Sequence, residues 1–121
     1  MKVSFDFDDT LMQQDGSPNI VIFSELKQHL SDGDDVIIVT SRLEKLDNTD
    51  LETFLECKGI SVPVFFTDLE SKWPLLQKLN VDIHFDDDPI EIKEIKQNTA
   101  IKTIQVDVNL KEWMKMRERA N

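Results

Sequence analysis

Val3-Ser4-Phe5-Asp6-Phe7-Asp8-Asp9-Thr10-Leu11 begins as an apolar strand and runs into three carboxylates and a hydroxyl. Strand residues alternate sides, so Val3, Phe5 and Phe7 are expected on one face and Asp6 and Asp8 on the other. Neighbouring carboxylates repel, and burying them costs more still. A hard divalent cation with oxygen ligands, such as Mg2+, answers that cost. The stretch therefore reads as the first strand of a sheet ending in a metal-dependent site.

The rest of the chain alternates apolar runs with helical patterns. The first strand covers roughly Lys2–Asp6. Asp15-Gly16-Ser17-Pro18 is a turn, with Ser17 as N-cap and Pro18 opening a helix that carries Ile22, Phe23, Leu26 and Leu30. Val36-Ile37-Ile38-Val39 is a continuous apolar run suited to a strand buried on both faces, and it ends in Thr40-Ser41-Arg42. Thr49 with Glu52 spells a capping box for a helix bearing Leu51, Phe54 and Leu55. A third strand spans Val62–Phe66, with Pro63 placing its start at a sheet edge. Ser71 caps a third helix that tolerates Pro74 in its first turn. Val81–Phe85 is a fourth strand ending in Asp86-Asp87-Asp88-Pro89, and Asp88 caps the helix through Ile92 and Ile95. Ile101–Val106 is a fifth strand. Asn109 and Glu112 open a last helix containing Leu110, Trp113 and Met114.

Strands alternating with helices predict an α/β fold: a three-layer, Rossmann-like arrangement around a five-stranded, mainly parallel sheet. The 121 residues form one domain, 1–121, with no internal repeat. In such sheets ligands bind beyond the carboxyl ends of the strands. Asp6, Asp8, Thr40, Asp86 and Asp87, far apart in sequence, would meet at that rim.

Composition narrows the partners. Acidic residues number 24 against 14 basic, a net charge of -10. That argues against a broad phosphate-binding surface for duplex nucleic acid, while leaving room for one strand end held in a small site. No apolar run is long enough to cross a bilayer. The N-terminus turns acidic too soon for a signal peptide. The single Cys57 fits a reducing, cytoplasmic setting.

These motifs, in this order, resemble the haloacid dehalogenase (HAD) superfamily of phosphohydrolases over nearly the whole chain. The first strand's Asp-x-Asp-x-Thr is matched by Asp6-Phe7-Asp8-Asp9-Thr10. Thr40 matches the Thr or Ser after the second strand. Lys72 matches the lysine at the start of the helix before the fourth strand, with Lys78 as a rival, and Asp86-Asp87 matches the closing acidic pair. The resemblance implies a Mg2+-dependent phosphatase acting on phosphomonoesters. Asp6 would be the nucleophile, forming an aspartyl phosphate, and Asp8 the general acid and base. Thr40 and Lys72 would bind the phosphoryl group. Asp6, Asp86 and Asp87, with the backbone carbonyl of Asp8, would surround the metal.

The segment between Asp8 and the first helix is too short for a cap domain, so the chain resembles the capless subset. An open site suits a phosphate on a macromolecule, such as a nucleic-acid end or a phosphoprotein. An oligomer in which a second subunit supplies the lid would suit a small substrate instead. Arg42 reads equally as a substrate contact or a surface residue. His84 reads as a satisfied buried histidine, and Asp9 as a local structural residue. A calcium loop over Asp6–Ser17 is excluded, because Leu11 and Ser17 stand where glycine and glutamate are required. The competing class is a phospho-accepting receiver domain, which would use Asp68 after the third strand and leave Asp86-Asp87 without a role. An inert binding module is the third alternative.

Overall fold

The structure, a computed structural model, describes residues 1–107. The expected helix from Asn109 lies outside the described residues. Elements follow in strict alternation: β1 (Lys2–Phe5), α1 (Ile20–Ser31), β2 (Asp35–Thr40), α2 (Thr49–Cys57), β3 (Val64–Phe66), α3 (Trp73–Lys78), β4 (Ile83–Asp86), α4 (Pro89–Asn98) and β5 (Lys102–Gln105). The five strands form one sheet in the order β3-β2-β1-β4-β5. Every pairing is parallel.

Chain direction across the sheet reverses beside β1. The first three strands step outward one way, and β4 returns to the other side of β1. That makes β1 and β4 the switch point where a crevice opens beyond the strand ends. β3 is an edge strand, as Pro63 foretold. A receiver-like order, 2-1-3-4-5, would put the third strand inside the sheet.

Strand alternation sorts the two faces. Val3, Phe5, Val36, Ile38 and Phe85 pack under Ile22, Phe23 and Leu26 of α1 and Leu51, Phe54 and Leu55 of α2. Ile37 and Val39 face the opposite layer, against Leu76 of α3 and Ile95 of α4. Phe5 stacks on Phe85 across the switch point, ring centroids 4.5 Å apart. Ser4 and His84, on β1 and β4, are paired in register and fully buried. Two buried polar residues on adjacent strands demand mutual hydrogen bonding, which they provide.

Several boundaries differ from the sequence reading, each for a local reason. β1 ends at Phe5, so alternation stops before Asp8, which bridges to Met12 instead. Asn19 caps α1 through its side chain, because Ser17 is committed to Asp15 in the preceding turn. Leu30 is exposed, lying past the buried stripe of that helix. At α2, Asp47 takes both the amide and the hydroxyl of Thr49, leaving no capping box. The N-cap position of α3 is Lys72, not Ser71, and it makes no side-chain cap; its amide donates to Glu91. Asp88 and Pro89 start α4 as expected, with Asp88 accepting from the Ile90 amide. The loop from residue 7 to residue 19 is a compact flap, pinned by the Asn19 amide donating to the Leu11 carbonyl. No helix among the described residues is long and apolar enough to cross a membrane.

Candidate active site

β1 and β4 deliver two carboxylates to the crevice at their carboxyl ends. The Asp6 amide still donates to the Phe85 carbonyl at 2.8 Å, so the strand pairing fixes its backbone. Asp86 is the last residue of β4 and is fully buried. From the other side, α3 presents Lys72, which is 2% exposed. Its Nζ lies 2.8 Å from Asp6 Oδ1 and 2.6 Å from Asp86 Oδ2. Lys78 is exposed elsewhere on α3.

The hydroxyl of Thr10 lies 3.1 Å from Asp6 Oδ2 and 3.2 Å from Asp87 Oδ1. Its single proton serves one at a time. Asp6, Asp86 and Asp87 each place a carboxylate oxygen within 4.8 Å of the others. Against three carboxylates stands one ammonium, so the cluster is short of positive charge.

The titration directions reflect that shortage. Burial, with Asp86 nearby, pushes Asp6 well above the usual carboxylate range, and Lys72 only partly offsets it. Burial also acts against ionised Asp86, but the His84 hydrogen bond and Lys72 outweigh it and hold its pKa at about 2. Burial alone would lower Lys72; Asp6 and Asp86 overcome it and raise its pKa. In the cation-free cluster ionised Asp86 is favoured and ionised Asp6 disfavoured. A hard, oxygen-seeking divalent cation fits this donor set and would supply the missing positive charge.

Asp8 leaves this cluster and faces Arg42. The guanidinium grips both Asp8 oxygens, Nε to Oδ2 at 2.8 Å and Nη2 to Oδ1 at 2.7 Å. Its outer edge holds Asp50 at 2.7 and 2.8 Å. The hydrogen bonds it donates to both carboxylates raise the Arg42 pKa further. Arg42 also lies over the Phe7 ring, 5.2 Å from its centroid. Thr40 is buried at the end of β2, and its hydroxyl accepts from the Arg42 amide at 3.3 Å.

A cleft of about 300 Å³ is lined by Asp6, Asp8, Ser41, Lys72, Asp86, Asp87, Asp88 and Glu91; Thr40, buried behind Ser41, is not part of its lining. A second groove of about 560 Å³ borders Arg42 and is walled by Leu43, Leu46 and Leu69. Asp68 lies away from the cleft, accepting from the Glu44 amide. Asp9 sits in a left-handed turn at φ 61°, its amide donating to the Met12 carbonyl.

Sequence reasoning missed the hydrogen-bonding part of Thr10 and the Ser4–His84 pair. Thr10 was legible in principle, four residues after Asp6 across a tight turn. Ser4 and His84 each precede a cluster aspartate by two, so on paired strands they share a face and stack behind it. His84 Nε2 lies 2.8 Å from Asp86 Oδ2, and Nδ1 lies 2.6 Å from Ser4 Oγ. Both ring nitrogens are thus satisfied, and burial lowers the His84 pKa.

No family model matches the chain, and no curated protein matches its sequence. Solved structures that match it in three dimensions include a chain of the Pnkp1/Rnl/Hen1 complex and a chain of the Pnkp1/Rnl/Hen1 RNA repair complex. Each is similar with a TM-score of 0.72 at 20% identity, over 87% of this chain. This chain spans 45% and 42% of those chains, less than half of either. The likeness establishes a shared α/β fold with a five-stranded parallel sheet.

Proposed function

We propose that this chain is a Mg2+-dependent phosphomonoesterase of the HAD type, working through an aspartyl phosphate on Asp6. The observation that carries the reading is the buried ammonium of Lys72 between Asp6 and Asp86, with Asp87 alongside. A lone buried acidic pair would be a structural liability; a lysine and a third carboxylate at the same rim form a phosphoryl-transfer kit. The metal would be held by Asp6, Asp86 and Asp87, with the Asp8 carbonyl, and would neutralise phosphoryl oxygens and orient them.

Asp6 Oδ attacks phosphorus, the ester oxygen leaves, and Asp8 gives that oxygen a proton. Water then attacks phosphorus with Asp8 as base, releasing inorganic phosphate and restoring Asp6. Lys72 restrains Asp6 and offsets charge on the phosphoryl group. Thr40 bonds a phosphoryl oxygen. Arg42 fixes Asp8 at the cleft mouth, while each Asp8 oxygen keeps a second lone pair for proton transfer. The groove walled by Leu46 and Leu69 offers the alcohol portion an apolar face.

The RNA-repair setting of the structural neighbours favours a phosphorylated nucleic-acid end as the substrate. The net charge of -10 confines such a contact to the terminus. The decisive test is phosphate release from an aryl phosphate and from 3′- and 5′-phosphorylated oligonucleotides with Mg2+, compared with Asp6→Asn. Equal release by wild type and Asp6→Asn refutes the assignment. A stable phosphate on Asp68 would favour the receiver reading instead.

A further inference from the structure

Behind the cluster, Ser4, His84 and Asp86 form a sealed chain in which every member is fully buried. A carboxylate accepts only, so His84 Nε2 carries the proton donated to Asp86 Oδ2 at 2.8 Å. In the neutral ring Nδ1 must then accept, and the Ser4 hydroxyl donates to it at 2.6 Å. The Ile83 carbonyl, 3.5 Å from the same hydroxyl, is too distant to compete. The direction of each hydrogen bond is thereby fixed, from Ser4 to His84 to Asp86.

That chain decides what remains of Asp86. Oδ2 accepts from His84 and, at 2.6 Å, from Lys72 Nζ. Both of its lone pairs are taken. Oδ1 accepts one bond, from the Asp88 amide at 3.0 Å. One lone pair, on Oδ1, is left for a ligand at the cluster that Asp86 shares with Asp6 and Asp87. Calcium commonly takes six to eight oxygens with two-oxygen carboxylate grips, whereas magnesium keeps a tight octahedron of single oxygens and water.

We propose that Ser4 and His84 are positioning residues that fill Asp86 Oδ2, hold Asp86 to single-oxygen ligation, and make the centre select a small octahedral cation over a large one. The inference rests on the reading of Asp6, Asp86 and Asp87 as a metal centre. It adds a selectivity device to that centre, supplied by two side chains that touch neither metal nor substrate. His84→Phe keeps a ring in the core and frees one lone pair on Oδ2. Ser4→Ala removes the hydroxyl that donates to His84 Nδ1, leaving a buried acceptor unpaired and the ring less firmly held against Asp86.

The test is calorimetric titration of the metal-free full chain with Mg2+ and with Ca2+, without substrate. Wild type is expected to prefer Mg2+. His84→Phe should reduce the ratio of Mg2+ to Ca2+ affinity by about tenfold or more, the scale of lost outer-shell support. Ser4→Ala, the gentler change, should move the ratio the same way and is the deciding variant if His84→Phe does not fold. A folded variant with the wild-type ratio overturns the inference alone. Wild type that binds neither cation, or Asp86→Asn that binds both as tightly as wild type, overturns the metal centre and this inference with it.

Discussion

Replacing Lys72 with methionine isolates the electrostatics of the site from its shape. Methionine keeps much of the aliphatic stem in a slot that is 2% exposed and deletes only the ammonium. At an effective dielectric of about 20, the 2.6 Å contact with ionised Asp86 is worth about 6 kcal/mol before desolvation is counted. Most of that is spent on taking the charges out of water. Removing one partner of a buried ion pair nevertheless costs about 3–5 kcal/mol, because the remaining carboxylates are stranded. For a domain of ordinary stability, that is a large share of the total.

Urea denaturation in chelator at pH 7 should therefore show the Lys72→Met midpoint lowered by about 2 M for a typical dependence on denaturant. The sign with pH follows from linkage. Without the ammonium, Asp6 loses the charge that partly offset its burial and titrates higher still above its unfolded value, while Asp86 loses part of what holds it low. The folded variant then binds more protons, so its stability rises as pH falls toward about 4. The gap to wild type should narrow on acidification, and millimolar Mg2+ should narrow it at pH 7. Equal midpoints in chelator at pH 7, or a gap that widens in acid, would refute the electrostatic account of the cluster.

Asp6→Asn should abolish turnover by at least about a thousandfold while leaving the metal-free fold as stable as wild type or more so, because ionised Asp6 is disfavoured there; phosphate release and urea midpoints measure the two effects. Phe5→Ala should cost about 3–5 kcal/mol, since Phe5 is fully buried and stacked on Phe85; calorimetric melting reads this. Asp34 is held below the usual carboxylate range by its hydrogen bond with His29 and by the nearby N-terminal ammonium. Asp34→Asn should be less stable than wild type at pH 7. A lowered folded pKa gives stability that is lost in acid, so the difference should vanish as pH falls below about 4. A difference that persists at pH 2 would contradict that assignment.

The sheet was legible because its strands are short apolar runs punctuated by Asp, Gly and Pro, and alternation with helices leaves few topologies. The rim residues were legible because a parallel sheet gathers strand ends, which is how Asp6 and Asp86 meet despite the distance between them in sequence. Helix starts were less legible. Ser17, Thr49 and Ser71 are all good capping residues, yet neighbouring aspartates claimed the first two and the N-cap fell one residue later, at Lys72, in the third case. Ordering Lys72 over Lys78 required the helix phase, since only one of the two points back across β1 and β4. The partner of Asp8 was hidden because β1 ends at Phe5, three residues before it, and the contact with Arg42, shared with Asp50, depends on loop geometry that no periodicity encodes.

The lining of the cleft carries a kinetic consequence. Six carboxyl groups, those of Asp6, Asp8, Asp86, Asp87, Asp88 and Glu91, face one ammonium, Lys72. The nearby guanidinium of Arg42 is already divided between Asp8 and Asp50. A phosphomonoester arriving as a dianion meets a repulsive field in the cation-free protein. If the chain is the phosphatase proposed above, entry would be ordered: cation first, ester second, with inorganic phosphate released before the cation. Initial-rate patterns would carry that signature, with the ester unable to bind in chelator and the cation raising the ester's on-rate. On that reading the acidic rim that looks hostile to phosphate would work as a turnstile, open to the substrate only after the counter-charge is in place.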